Sequence, residues 1–144
     1  MRNTKKRCTT VLIILLLTAM LASCGKQEAP KRTYENMQDA VYEIVSGSDV
    51  PYKVNEKIYK EREKGFGFSY RDNEGLYIAF GFGHQNTGGF SIQLVAMKEN
   101  EDEILIEAKL IAPAPEEVVS TSPSYPYMIL KMEDTSKNVE FILY

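Results

Sequence analysis

The chain has 144 residues, of which 17 are basic and 20 acidic, so its formal net charge is −3. This length is enough for one domain with a hydrophobic core, to which the 10% of aromatic residues can contribute. The acidic balance, without clustered Lys and Arg, argues against a nucleic-acid partner and against a basic surface for anionic lipid.

The N-terminus has the layout of a secretory signal. Four basic residues among the first seven are followed by an apolar run, Val11–Ala22, which only Thr18 interrupts. At about 1.5 Å per residue this run would span about 18 Å as a helix, too short for a hydrocarbon core of about 30 Å. We therefore expect a secreted chain without a permanent transmembrane helix here.

The apolar run ends in Leu21–Gly25, which resembles the bacterial lipobox and places Cys24 as the lipidated residue. The expectation is a signal peptide over 1–23, a lipidated tether over 24–32, and attachment to the extracytoplasmic side of the cell membrane through a diacylglycerol and acyl (palmitate) anchor. An ordinary signal with an incidental cysteine is the alternative. Removal of 1–23 leaves a net charge of −7 and no free thiol, so we expect no disulfide and no cofactor.

Two helices are predicted over residues 33–64. Thr33 is a candidate N-cap, and the helical spacing of Met37, Val41, Ile44 and Val45 predicts a first helix that ends near Ser46–Gly47. A second helix is predicted over about 55–64, and its alternating acidic and basic residues, Arg62 among them, indicate a solvated face. The side chains expected to face inward from the second helix are Val54, Ile58 and Tyr59.

Residues 65–144 change to a period of two. Runs of alternating apolar residues, separated by turns at Asp72–Gly75 and Glu99–Glu103, predict about six short strands. The predicted fold class is therefore α+β, with two N-terminal helices followed by a mainly antiparallel sheet or a small sandwich or barrel. The predicted core residues are Phe66, Phe68, Ile78, Phe80, Ile92, Leu94, Ile104, Ile106 and Ile129.

Few residues could perform catalysis. His84 is the only histidine, and its position at a strand end is more typical of an exposed loop residue than of a general base. The acidic residues of Glu99–Glu103 lack the spacing of a calcium loop and are interpreted as a solvated turn. We expect a protein that is not an enzyme, and an enzymatic alternative would depend on His84.

Two segments are candidates for binding a partner. In the first, Asn86, Thr87, Gly88, Gly89 and Phe90 form either a tight hairpin or a pre-shaped loop with accessible backbone groups.

The second segment is Ser122–Tyr127, in which two prolines stiffen the chain and an aromatic residue before Pro126 favours a cis peptide bond. Its main interpretation is a rigid strand entry. Tyr125 and Tyr127 nevertheless have the amphipathic character of interface residues.

These motifs carry a resemblance. Leu76–Ile78, the Thr-Gly-Gly-aromatic run at 87–90, the Pro113-x-Pro115 pair and Ser124–Tyr127 resemble the C-terminal domain of the protease-complex subunit PrcB family. The resemblance covers about 77–131 and implies a non-catalytic accessory domain on a secreted lipoprotein. We expect a protein-binding role with an unidentified extracytoplasmic protein as partner. A surface protease complex that the domain stabilises or assists is the candidate, although the resemblance by itself does not imply a protease partner.

A looser similarity gives an alternative function. The 86–90 loop is similar to the Asn-Pro-Thr-Thr-Gly-aromatic loop of chagasin-type cysteine-protease inhibitors, but the Pro is missing and one Thr is replaced by Gly. The chain also contains no Trp, which the family's Arg-Pro-Trp loop would need. The similarity implies a protease inhibitor that acts directly through residues 86–90.

Overall fold

The computed structural model describes residues 34–144, which form one compact unit. This part of the chain contains a single α-helix, α1 (Tyr52–Glu61), and a 3₁₀ turn at Gly47–Asp49. The strands are β1 (Gln38–Asp39), β2 (Glu43–Ile44), β3 (Gly65–Asp72), β4 (Gly75–Phe82), β5 (Ser91–Glu99), β6 (Glu103–Ile111), β7 (Tyr127–Met132) and β8 (Asn138–Leu143).

The strands form two four-stranded sheets. The first sheet has the order β1-β5-β6-β8 and the second has the order β2-β7-β4-β3. Neighbouring strands are antiparallel except for β6 and β8, which run parallel. The turns at 72–75 and 99–103 lie at one end of the strands, and the connections 83–90 and 112–126 lie at the other. We call these the turn end and the loop end.

The hydrophobic core has two layers. One layer lies between the sheets, where Ile78, Ile106 and Leu130 are fully buried. The other lies between the second sheet and α1, where Val54 and Ile58 of the helix pack with Phe66 and its neighbours. Strand β4 faces both layers and is buried along almost its whole length. Its continuous apolar sequence is therefore that of a strand covered on both faces.

The predicted first helix is wrong, and so is the fold class with two N-terminal helices. Residues 38–44 instead form the short strands β1 and β2, and Val41 and Ile44 are 85% and 64% exposed. Their helical spacing is coincidental. The backbone of this segment bonds to the sheets, as when the Ala40 N–H donates to the Met97 carbonyl at 3.1 Å. Thr33, the expected N-cap, lies outside the described residues.

The predicted second helix is confirmed as α1, although it begins and ends three residues earlier. Val54 and Ile58 are buried, as expected. Tyr59 is 66% exposed, so its predicted inward position is wrong. The helix begins directly after Pro51, whose fixed φ suits the start of a helix.

All six predicted strands are present as β3–β8. Seven of the nine predicted core residues are buried. The other two, Ile92 and Leu94, are only partly buried and pack at the margin of the layer between the sheets. The described residues contain no helix long and apolar enough to cross a bilayer. The expectations for the signal, Cys24 and the tether fall on residues outside the described part.

Candidate functional site

The connection between β4 and β5 passes from one sheet to the other. Phe82 ends β4 in the second sheet and Ser91 begins β5 in the first sheet. The tight-hairpin interpretation of this segment is therefore wrong, because a hairpin joins strands that pair with each other. The segment instead lies across the loop end of the molecule.

This segment is bonded to the connection that precedes β7. Gln85 and Ser124 exchange backbone hydrogen bonds of 2.9 and 3.0 Å, and the Gly88 N–H donates to the Ser120 carbonyl at 2.9 Å. The Ser124 hydroxyl donates to the Thr87 carbonyl at 2.6 Å. The structure thus brings together the two segments that the sequence indicates separately. We call residues 84–90 and 120–127 the paired loops.

A close approach at Gly89 requires a residue without a side chain. Its φ is +84°, and an added Cβ would lie 2.4 Å from Val119 Cγ1 and 3.0 Å from Pro113 Cβ. Both the backbone conformation and the packing therefore favour glycine. The second glycine of the Thr-Gly-Gly run is thus explained by its close approach to Val119 and Pro113, in the connection that precedes residues 120–127.

Some backbone groups of residues 86–90 that were expected to be accessible are already hydrogen-bonded within the paired loops. The Gly88 N–H and the Thr87 carbonyl already have partners within the loops. Asn86 and Gly89 are exposed, while Phe90 is half-buried. A partner would therefore contact the outer side of a rigid structure more than free backbone groups.

Tyr125 lies at the centre of a second group of contacts, which includes residues from helix α1. Its ring meets His84 edge-on with centroids 5.5 Å apart, and the Arg62 guanidinium lies 4.6 Å from its centroid. Arg62 also lies 4.3 Å from the Tyr59 ring, so the cation is close to two aromatic rings. Together with Glu63, these residues form what we call the aromatic cluster.

The pKa of the Tyr125 phenol is raised. Its hydrogen bond to the Glu63 carboxylate is the main cause, and burial and the negative charge of Glu63 add to it, while Arg62 opposes the rise. The hydroxyl is therefore held in its protonated form as a donor. Its hydrogen bond to Glu63 connects the segment before β7 to the residues that follow α1.

Tyr127 is placed differently from Tyr125. It begins β7, pairs with Gly81 of β4 and is 49% exposed. The described residues contain no cis peptide bond, so the Tyr125–Pro126 bond is trans and the expected cis preference is not realised. The segment does act as a strand entry, as its main interpretation predicted.

Sequence reasoning missed the contribution of the helix. Tyr59 was expected to face inward and Arg62 to lie on a solvated face, yet both join the aromatic cluster. A signal was present in their spacing, because an aromatic residue three positions before a cation lies on the same side of a helix. His84 is an exposed loop residue, as expected.

Two acidic residues at the turn end form ion pairs. Glu99 pairs with Lys137 at 2.8 Å, and Glu74 with Lys131 at 3.4 Å. The Asn100 side chain accepts from the N–H groups of Asp102 and Glu103, each at 2.9 Å, which closes the turn. Within residues 34–144, no group of three or more His, Cys, Asp or Glu side chains is placed to hold a metal ion.

Comparison with protein-family models gives a match. Residues 76–133 match the family model described as PrcB C-terminal, which confirms the resemblance predicted from the sequence. The matched range begins at β4 and includes both paired loops and β7. No curated protein and no solved structure matches the chain.

Proposed function

We propose that this protein is an extracytoplasmic lipoprotein, anchored through Cys24, whose β-rich domain binds another protein without catalysing a reaction. The family match supports a role associated with a protease complex. The finer proposal is that the paired loops and the aromatic cluster form the contact surface.

The mutual bonding of the paired loops is the observation that carries this proposal. Their backbone and side-chain hydrogen bonds hold the loops in one shape before any partner arrives. Binding then costs little loop entropy, which is the advantage of a preorganised surface. The shape depends on residues inside the matched range, so it is a property of the PrcB-like part of the chain.

The chemistry of the surface fits protein binding. Tyr59 and Tyr127 are 66% and 49% exposed, and Arg62 lies against the Tyr59 ring. Tyr and Arg are the residues that most often dominate the binding energy of protein interfaces. They can make apolar contacts and hydrogen bonds at once, which suits a surface that is not a deep pocket.

The binding surface can be tested with substitutions that leave the packing alone. Asn86→Arg with Tyr127→Ser should abolish recovery of partner proteins from solubilised membranes, because both positions are exposed. Glu101→Arg with Tyr52→Ser is the matched control, with one exposed turn position and one tyrosine that is 78% exposed. Equal recovery by both double variants would rule out the paired loops as the contact surface.

The anchor is tested separately. Cys24→Ala should abolish incorporation of labelled palmitate and prevent processing or release the domain from membranes. The melting temperature of the purified domain should not change, because residues 34–144 form their own compact unit. Unchanged labelling and membrane retention would rule out anchoring through Cys24.

The inhibitor function is the second candidate. The three backbone bonds between the paired loops hold Asn86 exposed on a rigid support, as an inhibitory loop requires. The soluble domain should then inhibit papain-like or subtilisin-like proteases at micromolar concentration, and Asn86→Arg should weaken this. Absence of inhibition against both classes would exclude it.

A further inference from the structure

On the side of the molecule formed by β5 and β7, the sheet edges are only partly covered by further strands. Strands β1 and β2 are consecutive in the chain and form the outermost strands of the two sheets on this side. Each has only two residues, and both pair near the turn end, β1 with Lys98 and Glu99 and β2 with Leu130 and Lys131. Within the described residues, no strand pairs with the outer edge of β5 over residues 91–96.

The hydrogen-bonding direction along β5 follows from bonds on the far side of β6. The Leu110 N–H donates to the Tyr144 carbonyl, and the Ala108 carbonyl accepts from the Tyr144 N–H, so both residues turn their backbone groups towards β8. Their partners on β5 are Ile92 and Leu94. In an antiparallel pair, residues opposite such positions direct their N–H and C=O groups away from each other. Ile92 and Leu94 therefore present theirs at the open edge.

This edge lacks the usual protection against strand addition. Residues 91–97 have the sequence SIQLVAM, without a charge or a proline. Natural edge strands are normally protected by such residues or covered by another segment. A β-bulge between Leu94 and Ala96 disrupts only the half nearer the turn end, which leaves Ser91–Leu94 regular.

The side chains behind the edge are apolar and partly exposed. Ile92 and Leu94 point towards the layer between the sheets but are only partly buried, and Met128 of β7 is partly buried in the same layer. The outward residues Ser91, Gln93 and Val95 are exposed. An added strand could thus place every second side chain against Ile92, Leu94 and Met128.

We propose that an extended segment of the partner protein adds to the Ser91–Leu94 edge of β5 and continues the cover that β1 begins. This inference rests on the proposed function, and it specifies how the partner is held. The segment would carry apolar residues at alternate positions, since alternate side chains of a strand share one face. The edge directly follows Phe90, so the partner would contact the paired loops as well.

Two other occupants fit less well. A second copy of this chain would pair through its own β5, whose inward side chains are already part of its own core. The chain's own residues 25–32, GKQEAPKR, are polar and contain a proline, so they offer no apolar alternation. A partner's strand can bond to the free backbone groups of β5 and also cover the partly exposed apolar side chains beside them.

The test compares hydrogen exchange in the free domain and in the complex recovered from membranes. The amides of Ile92 and Leu94 should exchange quickly in the free protein and at least tenfold more slowly in the complex. Leu94→Lys places a charge at the edge and should abolish this protection. Leu143→Lys is the matched control, because Leu143 is also partly buried in the same layer but lies on β8, at the opposite margin of the first sheet.

The outcomes are distinguishable. A complex that protects the paired loops but not Ile92 and Leu94 overturns the strand addition and leaves the proposed function standing. Failure to recover any complex from membranes, with the wild-type protein correctly anchored, contradicts the proposed function itself. Protection of both amides that rises with the concentration of the purified domain alone assigns the edge to a second copy and overturns the proposal. Equal loss of protection in both lysine variants also overturns it.

Discussion

The hydroxyl of Ser124 donates a 2.6 Å hydrogen bond to the carbonyl of Thr87, 37 residues away in the chain. The bond joins the segments before β5 and before β7, which belong to different sheets. The bond therefore links the two sheets through the loops that lead into them. Its strength can be measured directly.

Ser124→Ala should destabilise the protein by about 1–3 kcal/mol, because the half-buried Thr87 carbonyl loses its side-chain partner. The free energy of unfolding from urea denaturation is the measurement. Ser122→Ala, at an exposed position two residues earlier, should change it by less than about 0.5 kcal/mol. Equal effects of the two substitutions would show that the bond contributes nothing to stability.

Gly89→Ala should destabilise the protein by about 2–4 kcal/mol, from the left-handed backbone conformation together with overpacking against Val119. Gly47 separates these two effects. It also has a positive φ, +63°, but an added Cβ would meet nothing within 4 Å. Gly47→Ala should therefore cost only about 1–2 kcal/mol in the same assay. A Gly89→Ala protein as stable as Gly47→Ala would contradict the close packing of Gly89 against Val119 and Pro113.

Burial along the strands predicts unequal effects in the core. Ile106→Ala should cost about 2–5 kcal/mol, because Ile106 is fully buried between the sheets. Ile92→Ala should cost clearly less, since Ile92 lies at the open margin, and Glu101→Ala should be close to neutral. Melting temperatures of the three variants provide the check. An Ile92 variant as unstable as the Ile106 variant would mean that the β5 flank is closed.

Alkaline pH should destabilise the protein through Tyr144. Its pKa is raised, mainly because its hydroxyl bonds to the Glu107 carboxylate at 2.8 Å, with burial adding to the rise. Glu107 also accepts a hydrogen bond from Tyr34. A phenol whose folded pKa exceeds its unfolded value of about 10 stabilises the protein fully below that value. This stabilisation is lost as the pH rises through the folded pKa.

Urea denaturation of wild type and Tyr144→Phe from about pH 8 to pH 12 measures this contribution. The stability of the wild type should fall more steeply above about pH 10 than that of the variant. Some fall should remain in the variant, because the pKa values of Tyr125, Tyr77, Lys60 and Lys131 are raised as well. Tyr127→Phe, at an exposed ring, is the control. Identical slopes for wild type and Tyr144→Phe would contradict the contribution of this bond.

The success and failure of the sequence predictions have physical causes. Most of the strands β3–β8 were predictable because a strand with one buried face alternates with a period of two, although β4 is covered on both faces. Helix α1 was predictable because Val54 and Ile58 share one helical face and its charged residues the other. Residues 37–45 also have helical spacing, but most of them are exposed, and their backbone bonds to two different sheets. The local residue pattern of this segment does not report that it pairs with the edges of β5 and β7.

For the candidate site, the sequence identified both segments but not their relationship. Positive-φ glycines and prolines predict shaped loops wherever they occur. The bonds of Gln85 and Thr87 to Ser124 join residues far apart in the chain, so no local property reports them. The same is true of Arg62, whose place beside Tyr125 depends on how α1 packs on the second sheet.

By itself, the sequence determined the strands β3–β8, the helix α1, most of the core and the PrcB-like resemblance, because these depend on local alternation and short motifs. The tertiary structure decided the pairing order of the strands. Through that order it decided that β4 and β5 belong to different sheets, that the two loops bond to each other, and that the edge of β5 stays open. Strand order depends on contacts between distant segments, which compete for the same edges and leave no periodic signal in any one of them.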